Sequence, residues 1–195
     1  MASLQQIWAD AFDAWIGPFG VGCCIYMAPV EVTKGQTDAA PVPRTWMERW
    51  PNDELGVFSL TATDPMGEKQ SPEANAAGLA ELERELQELC GGAASQSGQI
   101  NGSGRNFWKS FGFNIKEGWR EDGFTVVAEA AEVIRLARKY RQGAIYSFEL
   151  SEGASIRRRT VPVCLPDTEA DVVSAPCKTP DSVLADPNAW GSFLR

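Results

Sequence analysis

The stretch TATDPMGEKQSPEANAAGLAELERELQELCGG, Thr61 to Gly92, decides how the chain is read. It follows a predicted strand. Leu55 to Thr63 carries Val57, Phe58, Leu60 and Thr61, residues that suit a pleated, half-buried surface. Asp64-Pro65-Met66-Gly67 then supplies a type I turn, with proline presetting the backbone and the aspartate able to bond the turn's own amides. Ser71 reads as a helix N-cap, Pro72 as the first helical residue, and Glu73 faces the positive dipole end. Leu79, Leu82, Leu86 and Leu89 share one face of that helix, and Gly91-Gly92 ends it. The whole reads as a strand–turn–helix packing unit. A competing reading makes the turn a ligand pocket, because free amides at a helix start attract anions and Lys69 is near. No phosphate-loop pattern of glycines with Lys-Ser/Thr is present.

Toward the C-terminus, Gly91 to Arg105 is a Gly/Ser-rich loop. Phe107 to Ile115 alternates as a strand, KEGWREDG (residues 116–123) turns the chain, and Phe124 to Ala128 returns, predicting a hairpin. Glu129 to Gln142 is the clearest helix, with cations in its last turns. Ala144 to Leu150 and Ala154 to Val163 predict a second antiparallel pair. Pro166 to Arg195 is polar and proline-punctuated, and predicts an extended tail bearing Trp190 and Phe193. Toward the N-terminus, Ile7, Trp8, Phe12, Trp15 and Ile16 predict an amphipathic helix, and Gly20 to Val32 a strand. The domain reading is therefore an N-terminal helix and irregular extension (1–54), a core domain (55–163) and a tail (164–195).

Composition excludes several functions. A net charge of −8 disfavours nucleic-acid binding and docking on anionic membrane. No apolar run approaches the ~18 residues of a membrane span. The chain has no histidine, which removes Ser-His-Asp and Cys-His mechanisms and every His-ligated metal site. The five cysteines (Cys23, Cys24, Cys90, Cys164, Cys177) match no zinc spacing and read as reduced thiols. No cofactor or metal is expected. The N-terminus reads as neither a signal nor a transit peptide, so the expected location is soluble and intracellular, in a reducing cytoplasm or organelle. Between Arg135 and Thr160 seven basic residues face two acids, which predicts either a solvated face or a patch for an acidic partner.

Several separated motifs occur in a familiar order. They are Thr61-Ala62, Pro65-Met66-Gly67, Ser71, Asn75, the Leu-rich helix, Glu121-x-Gly123-Phe124 and Gln142-x-Ala144-Ile145. In these the chain resembles the DUF3293 family, domains of unknown function, over about residues 55–163. It departs at Asp64, where the family often has Asn, and at Trp119, where it often has His. If a family active site uses that His, this chain lacks it.

The core order strand–helix–strand–strand–helix–strand predicts an α+β fold, a two-layer split β-α-β (ferredoxin-like) sandwich, flanked by the N-terminal helix and the C-terminal tail. Two functions compete. The first is a non-catalytic accessory or scaffold subunit that contacts other protein subunits through Trp8, Trp15, Trp190 and Phe193. The second is a small-molecule-binding domain or carboxylate-based enzyme. It has Asp64 and Glu121 as candidate catalytic groups and Asn75, Arg120 and Gln142 as candidate ligand contacts. A shared concave pocket holding these polar side chains would discriminate the second reading from the first.

Overall fold

The computed structural model describes residues 3–20, 24–33, 41–52, 54–91, 104–114, 116–151 and 155–177. Among them are eight strands: β1 (Phe12–Ile16), β2 (Cys24–Pro29), β3 (Gly56–Leu60), β4 (Asn106–Asn114), β5 (Trp119–Ala128), β6 (Ala144–Ser151), β7 (Ser155–Pro162) and β8 (Ala170–Cys177). The described helices are α1 (Leu4–Ala9), α2 (Val30–Thr33), α3 (Arg44–Arg49), α4 (Pro72–Cys90) and α5 (Ala130–Lys139). The strands close into one barrel in the order β1-β2-β8-β7-β6-β3-β5-β4, every neighbouring pair antiparallel.

This corrects the predicted two-layer sandwich. Within the barrel, β6-β3-β5-β4 do lie side by side, with α4 linking β3 to β4 and α5 linking β5 to β6. An open sandwich would end there, with β4 and β6 as edges. Instead β4 pairs with β1 and β6 with β7, and β2 and β8 complete the ring. Closure removes the unpaired edges that an open sheet must otherwise protect. The barrel takes β1 and β2 from residues 1–54 and β8 from residues 164–195, so the sheet runs through all three predicted segments.

Two misread segments account for the difference. Ile7, Trp8, Phe12, Trp15 and Ile16 fit a helical spacing, but only Leu4–Ala9 is helical. In β1, Asp13 and Trp15 point into the barrel while Phe12 and Ala14 pack outside it, and all four are buried. A strand buried on both faces loses its alternation and resembles a helix stripe. The predicted tail contains β8, whose Ser174 and Val172 lie opposite Ile156 and Arg158 of β7. Its weak apolar signal is compensated by ladder partners on both sides.

The helix of the Thr61 to Gly92 stretch forms much as its residues predict. Ser71 caps α4 by accepting from the Ala74 N–H at 3.2 Å, and Gly91 ends the helix at φ 73°. Leu82, Leu86 and Cys90 pack on the barrel's outer wall beside Val133, Leu136 and Ala137 of α5. The interior is different. Trp15, Met27, Val57, Trp108, Phe148 and Ile156 reach inward from six strands and, with Phe19 and Trp46, fill one part of the barrel. Trp15 stacks on Trp46 at 5.2 Å and meets Phe148 edge-on at 5.0 Å. Gly123 marks a close backbone approach in β5, because a Cβ there would sit 2.4 Å from the Leu60 carbonyl oxygen.

Candidate functional site

The barrel interior beyond the tryptophan cluster is not filled. It holds a cavity of about 260 Å³, close to the small end of the ~300–1,000 Å³ common for ligand sites. Strand alternation supplies its polar wall. In β4, Ser110 follows Trp108 on the inner face; in β5, Glu121 precedes Gly123 and Thr125 on that face. Aromatic residues Trp8, Trp119, Phe111 and Tyr146 form part of the lining.

The turn after β3 brings Asp64 to the rim. Its geometry differs from the predicted type I turn. The Gly67 N–H does donate to the Asp64 carbonyl at 2.7 Å, but Met66 in the third position has φ 58° and ψ 20°, and Asp64 itself has φ 39° and ψ 59°. Both are left-handed conformations that cost a non-glycine residue free energy, of order 1–3 kcal/mol each, and persist only where surroundings enforce them. The surroundings here are explicit. The Asp64 N–H donates to Asn75 Oδ1 at 3.0 Å, Asn75 Nδ2 donates to Asp64 Oδ1 at 2.8 Å, and the Gln70 N–H donates to the same oxygen at 3.0 Å. The Met66 N–H donates to the carbonyl of Arg141, another residue with positive φ (52°), which precedes Gln142. Of the four non-glycine residues with positive φ among those described, three therefore sit at this rim.

The two carboxylates have opposite environments. Hydrogen bonds from the Gln70 N–H and from Asn75 hold Asp64 below the usual aspartate range, ionised. Glu121 has no hydrogen-bond partner among the described residues. Burial, reinforced by the charge of Asp64, pushes it from an ordinary 4.5 up to about 7. Burial likewise keeps the Tyr146 phenol protonated, and its hydroxyl donates to the Trp8 carbonyl at 3.2 Å. Ser110 is only 4% exposed, lines the cavity, and its hydroxyl has no partner among the described residues.

The predicted residues divide as follows. Asp64, Glu121 and Gln142 line one cavity; Gln142 is buried, its amide donating weakly to the Tyr140 carbonyl at 3.4 Å. Asn75 stands behind Asp64 as its positioning residue rather than in the cavity. Arg120 lies on the outer face, over the Phe111 ring at 3.8 Å and paired with Asp122 at 2.8 Å. With Asn75 it lines a separate outer groove between α4 and β5, which also reaches Asp64 and Glu121. Trp8 lines the inner cavity, while Trp15 is wholly buried in the barrel core, a correction to its predicted docking role. Trp190 and Phe193 lie outside the described residues.

Residues 60–145 match the DUF3293 family model, described as a protein of unknown function. Comparisons with curated proteins and with solved structures gave no match. The DUF3293 span begins at the last residue of β3 and ends at the second residue of β6. It carries Asp64, Asn75, Glu121 and most of the residues that place them. The cavity also draws Leu4, Trp8, Asp13, Ser59, Tyr146 and Leu165 from outside it.

Sequence reasoning missed the Asp13–Arg158 pair that closes the cavity's side. Arg158 is fully buried, donates to Asp13 Oδ2 at 2.6 Å, and donates to the carbonyls of Trp8, Ala9 and Ala11. It thereby satisfies carbonyls at the C-terminal end of α1, where a cation also meets the negative dipole end. Period-two alternation in Arg157-Arg158-Arg159 was the available signal: the outer two are exposed and the central one points inward. Several of the other basic residues stand in surface ion pairs. Arg157 and Arg159 face Asp171, Arg135 pairs with Glu132, and Lys139 pairs with Glu81 and Glu85. Among the described residues no helix is long and apolar enough to cross a membrane, and no three Cys, Asp or Glu side chains are grouped to hold a metal ion.

Proposed function

We propose that this barrel binds a small molecule in its interior cavity and exchanges a proton with it through Glu121. One observation carries the reading: an unpartnered glutamate faces a cavity beside an aspartate whose carboxylate is held ionised by two hydrogen bonds, from the Gln70 N–H and from Asn75 Nδ2. Two neighbouring carboxyl groups with protonation ranges pushed apart are the arrangement that divides acid and base roles. A group poised near neutrality both gives and takes a proton at ordinary pH. Asp64 then acts on the charge of Glu121, and Asn75 acts through Asp64. The strained rim and the unpartnered Ser110 hydroxyl support the same location. The accessory-subunit expectation draws no support from Trp15, which is consumed by the chain's own core.

The test is a small-fragment screen on the full chain by NMR, with the indole N–H signals of Trp8 and Trp119 as reporters. Bound fragments should shift both signals and compete with one another, and Glu121→Gln should alter the affinity without unfolding the chain. Fragments that bind elsewhere, with both indoles unmoved, would refute the reading.

A further inference from the structure

The cavity's lining also specifies the charge of what enters it, an inference that rests on the site proposed above. Among the described residues no lysine or arginine lines the cavity, whereas Asp13, Asp64 and Glu121 do. Asp13 is compensated by Arg158, Asp64 feels the charge of the exposed Lys69 outside the lining, and among the described residues no cation acts on Glu121. The same lining includes Trp8, Tyr146 and Trp119, of which Trp119 lies two residues before Glu121 on β5. Aromatic faces attract cations electrostatically. The unpartnered Ser110 hydroxyl, 96% buried by its 4% exposure, adds a further polar contact within the same enclosure.

We infer that the cavity takes a small organic cation, of the amine or amidine class, with its charged head between Asp64 and Glu121 and its body against the aromatic wall. An anion would meet two acids and no cation. A neutral molecule would leave Glu121 uncompensated in a partly desolvated site, where charge interactions are several-fold stronger than in bulk water.

The surroundings of Glu121 set the pH dependence. The groups acting on it are Asp64 from the turn after β3 and Tyr146 from β6, which the Asp13–Arg158 pair joining β1 and β7 faces in turn. Its strand neighbours Arg120 and Asp122 pair with each other on the outer face, where Lys109 lies beside the outer groove. A cation therefore competes with the proton on Glu121. Binding should weaken as pH falls, and each ligand bound near neutral pH should release up to one proton.

The experiment uses three probes with one ring and three charges: benzamidine, benzamide and benzoate, titrated into the full chain while the Trp8 and Trp119 indoles are followed. Near pH 8, benzamidine should bind roughly ten-fold or more tightly than benzamide, with benzoate weakest. Lowering the pH to about 5.5, or substituting Glu121→Gln near pH 8, should each remove roughly ten-fold of the benzamidine affinity. A thermal melt of Glu121→Gln checks that the variant is folded. Benzamide or benzoate binding as tightly as benzamidine, with the indoles responding, would overturn the cation assignment and leave the cavity reading standing. A benzamidine affinity indifferent to both pH and Glu121→Gln would overturn it too. If none of the three moves either indole, the cavity reading itself fails and the cation assignment falls with it.

Discussion

Two acids line the same barrel cavity and are built in opposite ways. Asp13 is 3% exposed and bonded at 2.6 Å to a fully buried arginine, which also holds three backbone carbonyls. Every element of that arrangement joins α1 and β1 to β7, so its consequence is structural. Glu121 has no hydrogen bond among the described residues, sits beside a second carboxylate, and stays protonated up to about pH 7. Folding gains nothing from that placement. On the function proposed above, a group that costs stability where it stands, beside a backbone also held in costly conformations, is the one that acts on the ligand.

Breaking the Asp13–Arg158 side should have the largest effect. Arg158→Met leaves a buried carboxylate and several carbonyls without a donor, and should cost roughly 3–5 kcal/mol of unfolding free energy by chemical denaturation. The paired replacement Asp13→Leu with Arg158→Met should recover most of that loss, since removing both charges leaves neither stranded. A double variant as unstable as the single one would mean that the carbonyl contacts, not the ion pair, carry the effect.

Glu121→Gln should move stability the other way. Below about pH 4.5 the glutamate is protonated whether the chain is folded or not. As the pH rises, the unfolded chain loses this proton first, while the folded chain holds it up to about 7. Its presence in the native state therefore makes stability fall through that window, and the loss is complete above it. Glu121→Gln should flatten this slope and leave the variant about 1–3 kcal/mol more stable than the natural chain near pH 8. Melting temperatures across the pH range check this, and a variant less stable at every pH would place Glu121 with Asp13 as a structural acid.

The smallest effect falls on the positioning residue. Asn75→Ala removes two hydrogen bonds to Asp64 and should cost about 1 kcal/mol. It should also let the Asp64 carboxyl rise toward its ordinary range, which still leaves Asp64 ionised where Glu121 titrates, so the Glu121 midpoint should stay at about 7. Urea denaturation reads the first change and side-chain NMR titration the second.

Sequence reasoning reached the DUF3293-matched side of the cavity more fully than the other side. Asp64, Glu121 and Gln142 are legible because they lie in or beside the motifs in which the chain resembles DUF3293. Ser71, Pro72 and Gly91 announce α4 by their own conformational preferences. Closure of the barrel was hidden for a physical reason. β1 is buried on both faces and imitates a helix, and β8 is weakly apolar and owes its extended form to neighbours on either side. Once those strands were misread, an open sheet with two crossover helices was the natural inference. Arg158 escaped because a run of three arginines resembles a charged surface until the strand's alternation turns the middle one inward.

The most direct test is to follow the Glu121 side-chain carboxyl carbon by NMR in the full chain as pH is raised from about 3 to about 9. The account predicts a midpoint at about 7, falling toward the ordinary glutamate range when Asp64 is replaced by Asn. A midpoint below about 5 would mean that Glu121 is a solvated carboxylate like any other, and would contradict its role as the proton-exchanging group of the cavity.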